Sequence, residues 1–289
     1  MLVERLVRVG DDPLVELFVA ETAGDPACTL LVIHGGPDWD QMYLRQPLVG
    51  LGGGRRVVFA DLRGCGRSTR GLPAPVHTPA AAVEDLIALI DQLRSRPVDV
   101  LGFSYGGLLA QRLLVAAPER VRRTVIASSS ILPVPPDAFA GWAERNARLA
   151  RAGADEEGDA PWDDERTRRD AISFATRDVW KLELLPDYPS RLEQVHFSSD
   201  WARAWPDRSK IPLARPPEVV DRLRGLGKPL LLLHGRQDMT FPAALVEPTT
   251  ELIPTAEGVV LEQAGHMAHV DRPRAWLGAV RTFLGGGHE

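Results

Sequence analysis

Only two cysteines, Cys28 and Cys65, occur in the 289 residues, too few for a disulfide framework and without a metal-ligand spacing. Cys28 opens an apolar run and reads as a buried thiol, while Cys65 lies in a glycine-rich loop, where an inert thiol is the plainer reading and a reactive one the alternative. Positive charge is not in excess either. Thirty-four Lys and Arg stand against 39 Asp and Glu, a net charge of -5 that argues against nucleic acid as a partner. The arginines are interleaved with acids and read as solvated surface. No apolar run reaches the length of a membrane span, and the first nine residues carry no apolar segment followed by a small-residue cleavage site. The chain therefore reads as soluble and cytoplasmic, with no membrane partner. Internal repeats and low-complexity tracts are missing, and no metal or cofactor is expected.

What is present is an alternation of short apolar runs with helical patterns. Residues 2–9 and 14–20 flank Gly10-Asp11-Asp12-Pro13 and predict an antiparallel hairpin at a sheet edge. Cys28-Thr-Leu-Leu-Val-Ile33 is too uniformly apolar for a half-exposed strand and predicts a central one covered on both faces. Further strands are expected at 57–60, 98–103, 123–127, 229–234 and 258–262. A helix over about 78–94 is signalled by Thr78 as its cap, Pro79 at its first position, and Val83, Leu86, Ile87, Ile90 and Leu93 on one face. A closing helix is expected from Pro273 to Leu284. This rhythm predicts an α/β fold with a mostly parallel, doubly wound sheet.

The rhythm breaks over residues 130–217, where five of the seven tryptophans (Trp142, Trp162, Trp180, Trp201 and Trp205) collect among prolines, arginines and acids. This stretch reads as a helical lid inserted between two parts of one core, 1–129 and 218–289. Residues 139–151 are amphipathic, and residues 154–161 read as a mobile acidic loop. Tryptophans more often fix a lid to its core than touch a ligand, so none is assigned to one.

The chemistry centres on Gly102-Phe-Ser-Tyr-Gly106, between an apolar strand and a helix. A turn this tight forces its central residue into a strained backbone conformation and requires small neighbours. Ser104 then projects its hydroxyl where helix N–H groups are unpaired, a setting suited to an oxyanion. Asp238 and His266 follow two later strands, in the chain order serine, acid, histidine. In a doubly wound sheet, ligands lie at the carboxyl ends of the strands. There His266 would take the proton of Ser104, and Asp238 would orient the imidazole and balance its charge. His269 competes with His266 as base, whereas His34 and His234 read as structural, His234 as a hydrogen-bonded one. The oxyanion donors are expected to be the N–H of Tyr105 and, in the loop after the first central strand, that of Gly36.

Taken together, His34-Gly-Gly-Pro37, Asp61-Leu-Arg-Gly-Cys-Gly-Arg-Ser68, Gly102-Phe-Ser-Tyr-Gly-Gly107, Gly235-Arg-Gln-Asp238 and Gly265-His266 resemble the proline iminopeptidase-like branch of the α/β-hydrolase superfamily. The resemblance implies Ser104 as nucleophile, Asp238 and His266 as its partners, and a serine aminopeptidase acting on a small molecule or short peptide. A serine at this position disfavours the superfamily's dehalogenases and epoxide hydrolases, which carry aspartate there. In the lid, Arg191-Leu-Glu-Gln-Val-His-Phe197 resembles the family segment whose glutamate binds the substrate amine, which implies substrate binding by Glu193. The family usually has glycine where Asp38 stands and tryptophan where Tyr105 stands. Those departures favour an esterase, lactonase or C–C bond hydrolase using the same three residues, and a non-hydrolytic binding protein is the remaining alternative.

Overall fold

A computed structural model describes residues 2–52, 54–93, 95, 97–152, 162–207 and 214–285. Eight strands form one sheet: β1 (Leu2–Asp11), β2 (Leu14–Thr22), β3 (Asp25–Ile33), β4 (Arg55–Ala60), β5 (Val98–Phe103), β6 (Val121–Ala127), β7 (Leu230–Gly235) and β8 (Ala256–Leu261). Their spatial order is β1-β2-β4-β3-β5-β6-β7-β8. β2 pairs antiparallel with β1 and with β4, and every other neighbouring pair is parallel. The predicted edge hairpin is β1-β2, and the apolar run at 28–33 sits at the centre.

The central strands carry unbroken apolar runs, Leu30–Ile33 in β3 and Leu230–Leu233 in β7, because each face has its own cover. In β3, Leu31 and Ile33 join one buried cluster and Leu30 and Val32 the other; β7 divides in the same way into Leu230 and Leu232 against Leu231 and Leu233. The first face is covered by α2 (Pro79–Gln92) and α3 (Tyr105–Ala116) through Leu86, Leu89, Leu109 and Leu113. The second is covered by α1 (Met42–Leu48) through Leu44 and Leu48, and by the closing helix Pro273–Phe283 through Trp276 and Val280. α2 begins as expected, with Thr78 Oγ1 accepting the N–H of Ala81 at 3.2 Å and Pro79 at its first position.

Between β6 and β7 lie α4 (Ala143–Ala152), α5 (Asp164–Ser173), α6 (Ala175–Asp178), α7 (Tyr188–Leu192), α8 (Asp200–Ala204) and α9 (Val219–Leu226). The stretch 130–217 is not uniform. Tyr188 and Leu192 pack with the second cluster, whereas Trp201 and Ala214 are buried in the first, among the side chains of α2 and α3. The acidic loop expected at 154–161 lies outside the described residues. α10 (Val246–Leu252), α11 (Ala268–Asp271) and α12 (Pro273–Phe283) complete the fold. Among the described residues, no helix is long and apolar enough to cross a membrane.

Parallel register brings the strand ends to one edge. Ile33 pairs with Gly102, Phe103 with Ala127, and Ala127 with Leu233. Loops bearing His34, Ser104 and Asp238 therefore leave the sheet side by side.

Candidate active site

The junction of β5 and α3 is as tight as the sequence requires. A Cβ on Gly102 would collide with the Gly106 carbonyl oxygen, and one on Gly106 would collide with that of Ile33. Both obstacles are backbone, so neither can swing aside, and only glycine lets α3 pass this close to β3 and β5. Ser104 adopts φ 53°, ψ -117°, a left-handed conformation costly for a residue with a Cβ. Its N–H bonds the Ala127 carbonyl at 2.9 Å, and its hydroxyl is turned out of the sheet.

That hydroxyl lies 3.0 Å from His266 Nε2, and His266 Nδ1 lies 2.9 Å from Asp238 Oδ2. The other Asp238 oxygen accepts the N–H groups of Thr240 at 2.7 Å and Phe241 at 2.9 Å. Burial opposes charge on both groups, yet each stabilises the charged form of the other. The His266 ring is held above the ordinary imidazole value because Asp238 outweighs its desolvation, and the Asp238 carboxyl is held below the usual carboxylate range by His266. Ser128 Oγ donates to the His266 carbonyl at 2.7 Å, and the Phe241 ring stacks on the imidazole at 6.1 Å.

The other candidate histidines, His34, His234 and His269, stand apart from Ser104. His34 accepts the Leu62 N–H at 3.0 Å and donates to the Gly35 carbonyl at 2.6 Å, which braces the loop after β3. His269 is enclosed by Tyr43, Phe103 and Trp276, and burial pushes its ring down to about 3. His234 is buried and pushed down to about 4, but its ring nitrogens meet no hydrogen-bond partner among the described residues, contrary to the hydrogen bond expected of it. Cys65 is fully buried and its thiol is pushed well up by desolvation, which makes it inert.

Ser104 and His266 open on a cavity of about 240 Å³ whose wall includes Gly36, Trp39, Tyr43, Arg177, Asp178 and Met267. A second cavity of about 340 Å³ shares Pro37, Trp39, Arg177 and Asp178 with it and extends to Trp162 and Phe174. Gly36 thus lines the space beside Ser104, and Tyr105 is the first residue of α3. Tyr43 Oη accepts the N–H of Gly35 at 2.8 Å and fixes the loop that carries Gly36.

Glu193 is elsewhere. It follows the end of α7, is exposed, and does not line the cavity, because Leu192 and Val195 turn inward and leave it facing water. The acid on the cavity wall is Asp178, whose Oδ1 accepts from Arg177 Nε at 2.7 Å. No sequence signal pointed to this pair, which sits in a four-residue helix too short to show periodicity.

Asp38, the departure from the family pattern, has a structural explanation. It adopts φ 73°, which aspartate tolerates better than most residues. Its Oδ1 accepts the Trp201 N–H at 2.9 Å and the Ser198 hydroxyl at 3.1 Å, and its Oδ2 accepts the Ala202 N–H at 2.8 Å. One carboxylate thereby caps α8 from another part of the chain. Asp38→Gly keeps the backbone angle and loses all three bonds, which should lower stability by about 2–4 kcal/mol in urea unfolding. Asp38→Asn retains one acceptor and should lose about half as much.

A doubly wound sheet with a serine at this turn is the architecture of the α/β hydrolase fold. The match to the α/β hydrolase fold model over residues 29–273 makes the family plain, and the chain belongs to it. It is 27% identical over 276 residues to a proline iminopeptidase of Levilactobacillus brevis, covering 90% of this chain and 89% of that one. It is 26% identical over 263 residues to a 2-hydroxymuconate semialdehyde hydrolase of Pseudomonas sp. strain CF600, covering 88% and 86%. Among solved structures, a proline iminopeptidase-related protein from Thermus thermophilus superposes with a TM-score of 0.73 at 25% identity, covering 99% of this chain and 98% of that one.

Proposed function

We propose that this hydrolase cleaves an ester or amide through an acyl-enzyme, with Ser104 as nucleophile. The observation that carries the reading is the unbroken hydrogen-bond series from Ser104 through His266 to Asp238 at the mouth of a cavity. Ser104 Oγ attacks the carbonyl carbon while His266 Nε2 takes the hydroxyl proton. The N–H groups of Gly36 and Tyr105 receive the developing oxyanion. His266 then returns the proton to the departing amine or alkoxide. In the second half, His266 takes a proton from water, hydroxide adds to the acyl carbon, and the acid leaves as Ser104 regains its proton. These steps use the chain's own side chains and backbone N–H groups, with water.

The size of the cavity favours a small acyl group, and the aromatic walls of the adjoining space favour an apolar or ring-bearing one. An aminopeptidase is the second reading, favoured by Asp178 on the cavity wall. The test is hydrolysis of proline β-naphthylamide beside a short-chain p-nitrophenyl ester, with Ser104→Ala as the blank for both. Amide cleavage that Asp178→Asn removes, with a far smaller loss of ester cleavage, would establish the aminopeptidase; Glu193→Ala should change neither. Ester cleavage alone would assign the protein to esters and lactones. Neither reaction departing from the blank would overturn the hydrolytic reading.

A further inference from the structure

We infer that Asp271, outside the Ser104–His266–Asp238 series, is a positioning residue that fixes His266 relative to the Arg177–Asp178 wall of the cavity. The inference rests on the hydrolytic reading above. Asp271 ends α11, is buried, and spends both oxygens on backbone. Its Oδ2 accepts the N–H of Gly265 at 2.8 Å and of Trp180 at 3.0 Å, and its Oδ1 accepts that of Lys181 at 2.9 Å. Gly265 immediately precedes His266, and Trp180 and Lys181 follow Asp178 of the cavity wall after a single residue, Val179. A single carboxylate thus ties the loop of the base to the segment that shapes the substrate space. The Met267 N–H bonds the Asp178 carbonyl at 2.8 Å and closes the same junction from the other side of His266.

A charge of opposite sign holds the outer side of that segment. Arg148, buried in α4, donates to the carbonyls of Thr176 at 2.8 Å, Val179 at 3.1 Å and Trp180 at 3.2 Å. Its guanidinium also lies over the Trp180 ring at 4.5 Å. The segment 176–181 is therefore gripped by a cation on its carbonyls and an anion on its amides. Charge-assisted hydrogen bonds are the stronger kind, and buried ones hold geometry closely.

The charges that act on His266 are Asp238, Asp178 and Arg177, and the neutral rings of His234 and His269 stand nearby. After Asp238, Asp178 is the larger remaining influence, and it favours the imidazolium. Release of the wall should thus weaken substrate alignment and move His266 toward lower pH together.

The experiment compares Asp271→Asn and Arg148→Gln with the parent, using a p-nitrophenyl ester and normalising rates to the acylation burst. Asp271→Asn preserves shape but turns an N–H donor on a backbone N–H. Each variant should keep its burst amplitude, lose about 10- to 100-fold in kcat per titrated site, and shift the acid limb of the kcat profile to lower pH. The double variant should lose less than the product of the two losses, because both act through one segment. A fall in melting temperature with kcat per site and the acid limb unchanged would overturn the inference. Ester turnover by the parent no faster than by Ser104→Ala would instead overturn the hydrolytic reading.

Discussion

Ser104→Ala is expected to lower kcat by on the order of 10⁶-fold for any ester or amide that the parent turns over, and to remove the acylation burst. The loss should be this large because His266 and Asp238 have nothing to activate once the hydroxyl is gone, and oxyanion donors alone give only a residual acceleration. Stability should barely change. Alanine and serine both carry a Cβ, so the cost of φ 53° at this position is common to both, and among the described residues the Ser104 hydroxyl has only His266 as its hydrogen-bond partner. Intact-protein mass spectrometry after mixing with the ester should show an acyl adduct on the parent and none on the variant. An adduct of equal yield on Ser104→Ala would place the nucleophile elsewhere.

Asp238→Asn is expected to cost about 10⁴-fold in kcat at neutral pH. The substitution keeps the shape of the side chain and removes its charge. In the parent, His266 Nδ1–H points at Asp238 Oδ2, and so Nε2 is left bare toward Ser104. Asp238 Oδ1 is already committed to the N–H groups of Thr240 and Phe241. An asparagine must keep its carbonyl on those donors and turn its NH₂ toward His266, which reverses the tautomer and points Nε2–H at the serine. The pH profile carries a second signature. Because Asp238 raises the His266 ring, parent activity should fall with acid through a midpoint above the usual imidazole value, as the protonated ring ceases to accept the serine proton. The variant's midpoint should lie lower. A profile that does not move would detach Asp238 from His266.

The sheet was legible in the sequence because its strands carry short, mostly apolar runs, unbroken at Leu30–Ile33 and Leu230–Leu233. Ser104, Asp238 and His266 were legible because they lie in the loops that follow β5, β7 and β8, and parallel register sends all three to one edge. The choice of His266 over His269 is matched by its contact with Ser104, while His269 is walled in by aromatic rings. The cavity wall was not legible. Arg177 and Asp178 lie in one helical turn among irregular segments, where side-chain direction follows from tertiary contacts such as those of Arg148 and Asp271. Glu193 drew attention through a short match to a family segment, but the inward Leu192 and Val195 beside it were the better guide. Asp38 was noticed as a departure, and its use depends on α8, which begins more than 160 residues later in the chain.

The anchoring of the helical segments by core carboxylates also bears on how such a chain can be rebuilt. Asp271 grips the backbone at 180–181, and Asp38 and Asp40 grip it again at 196–202, in each case through amide groups present whatever the side chains are. Recombination at those two boundaries can exchange the intervening helix α7 and its flanks for a foreign sequence while the attachment points stay chemically the same. The fold thus carries its own splice sites, outside the wall of the cavity beside Ser104.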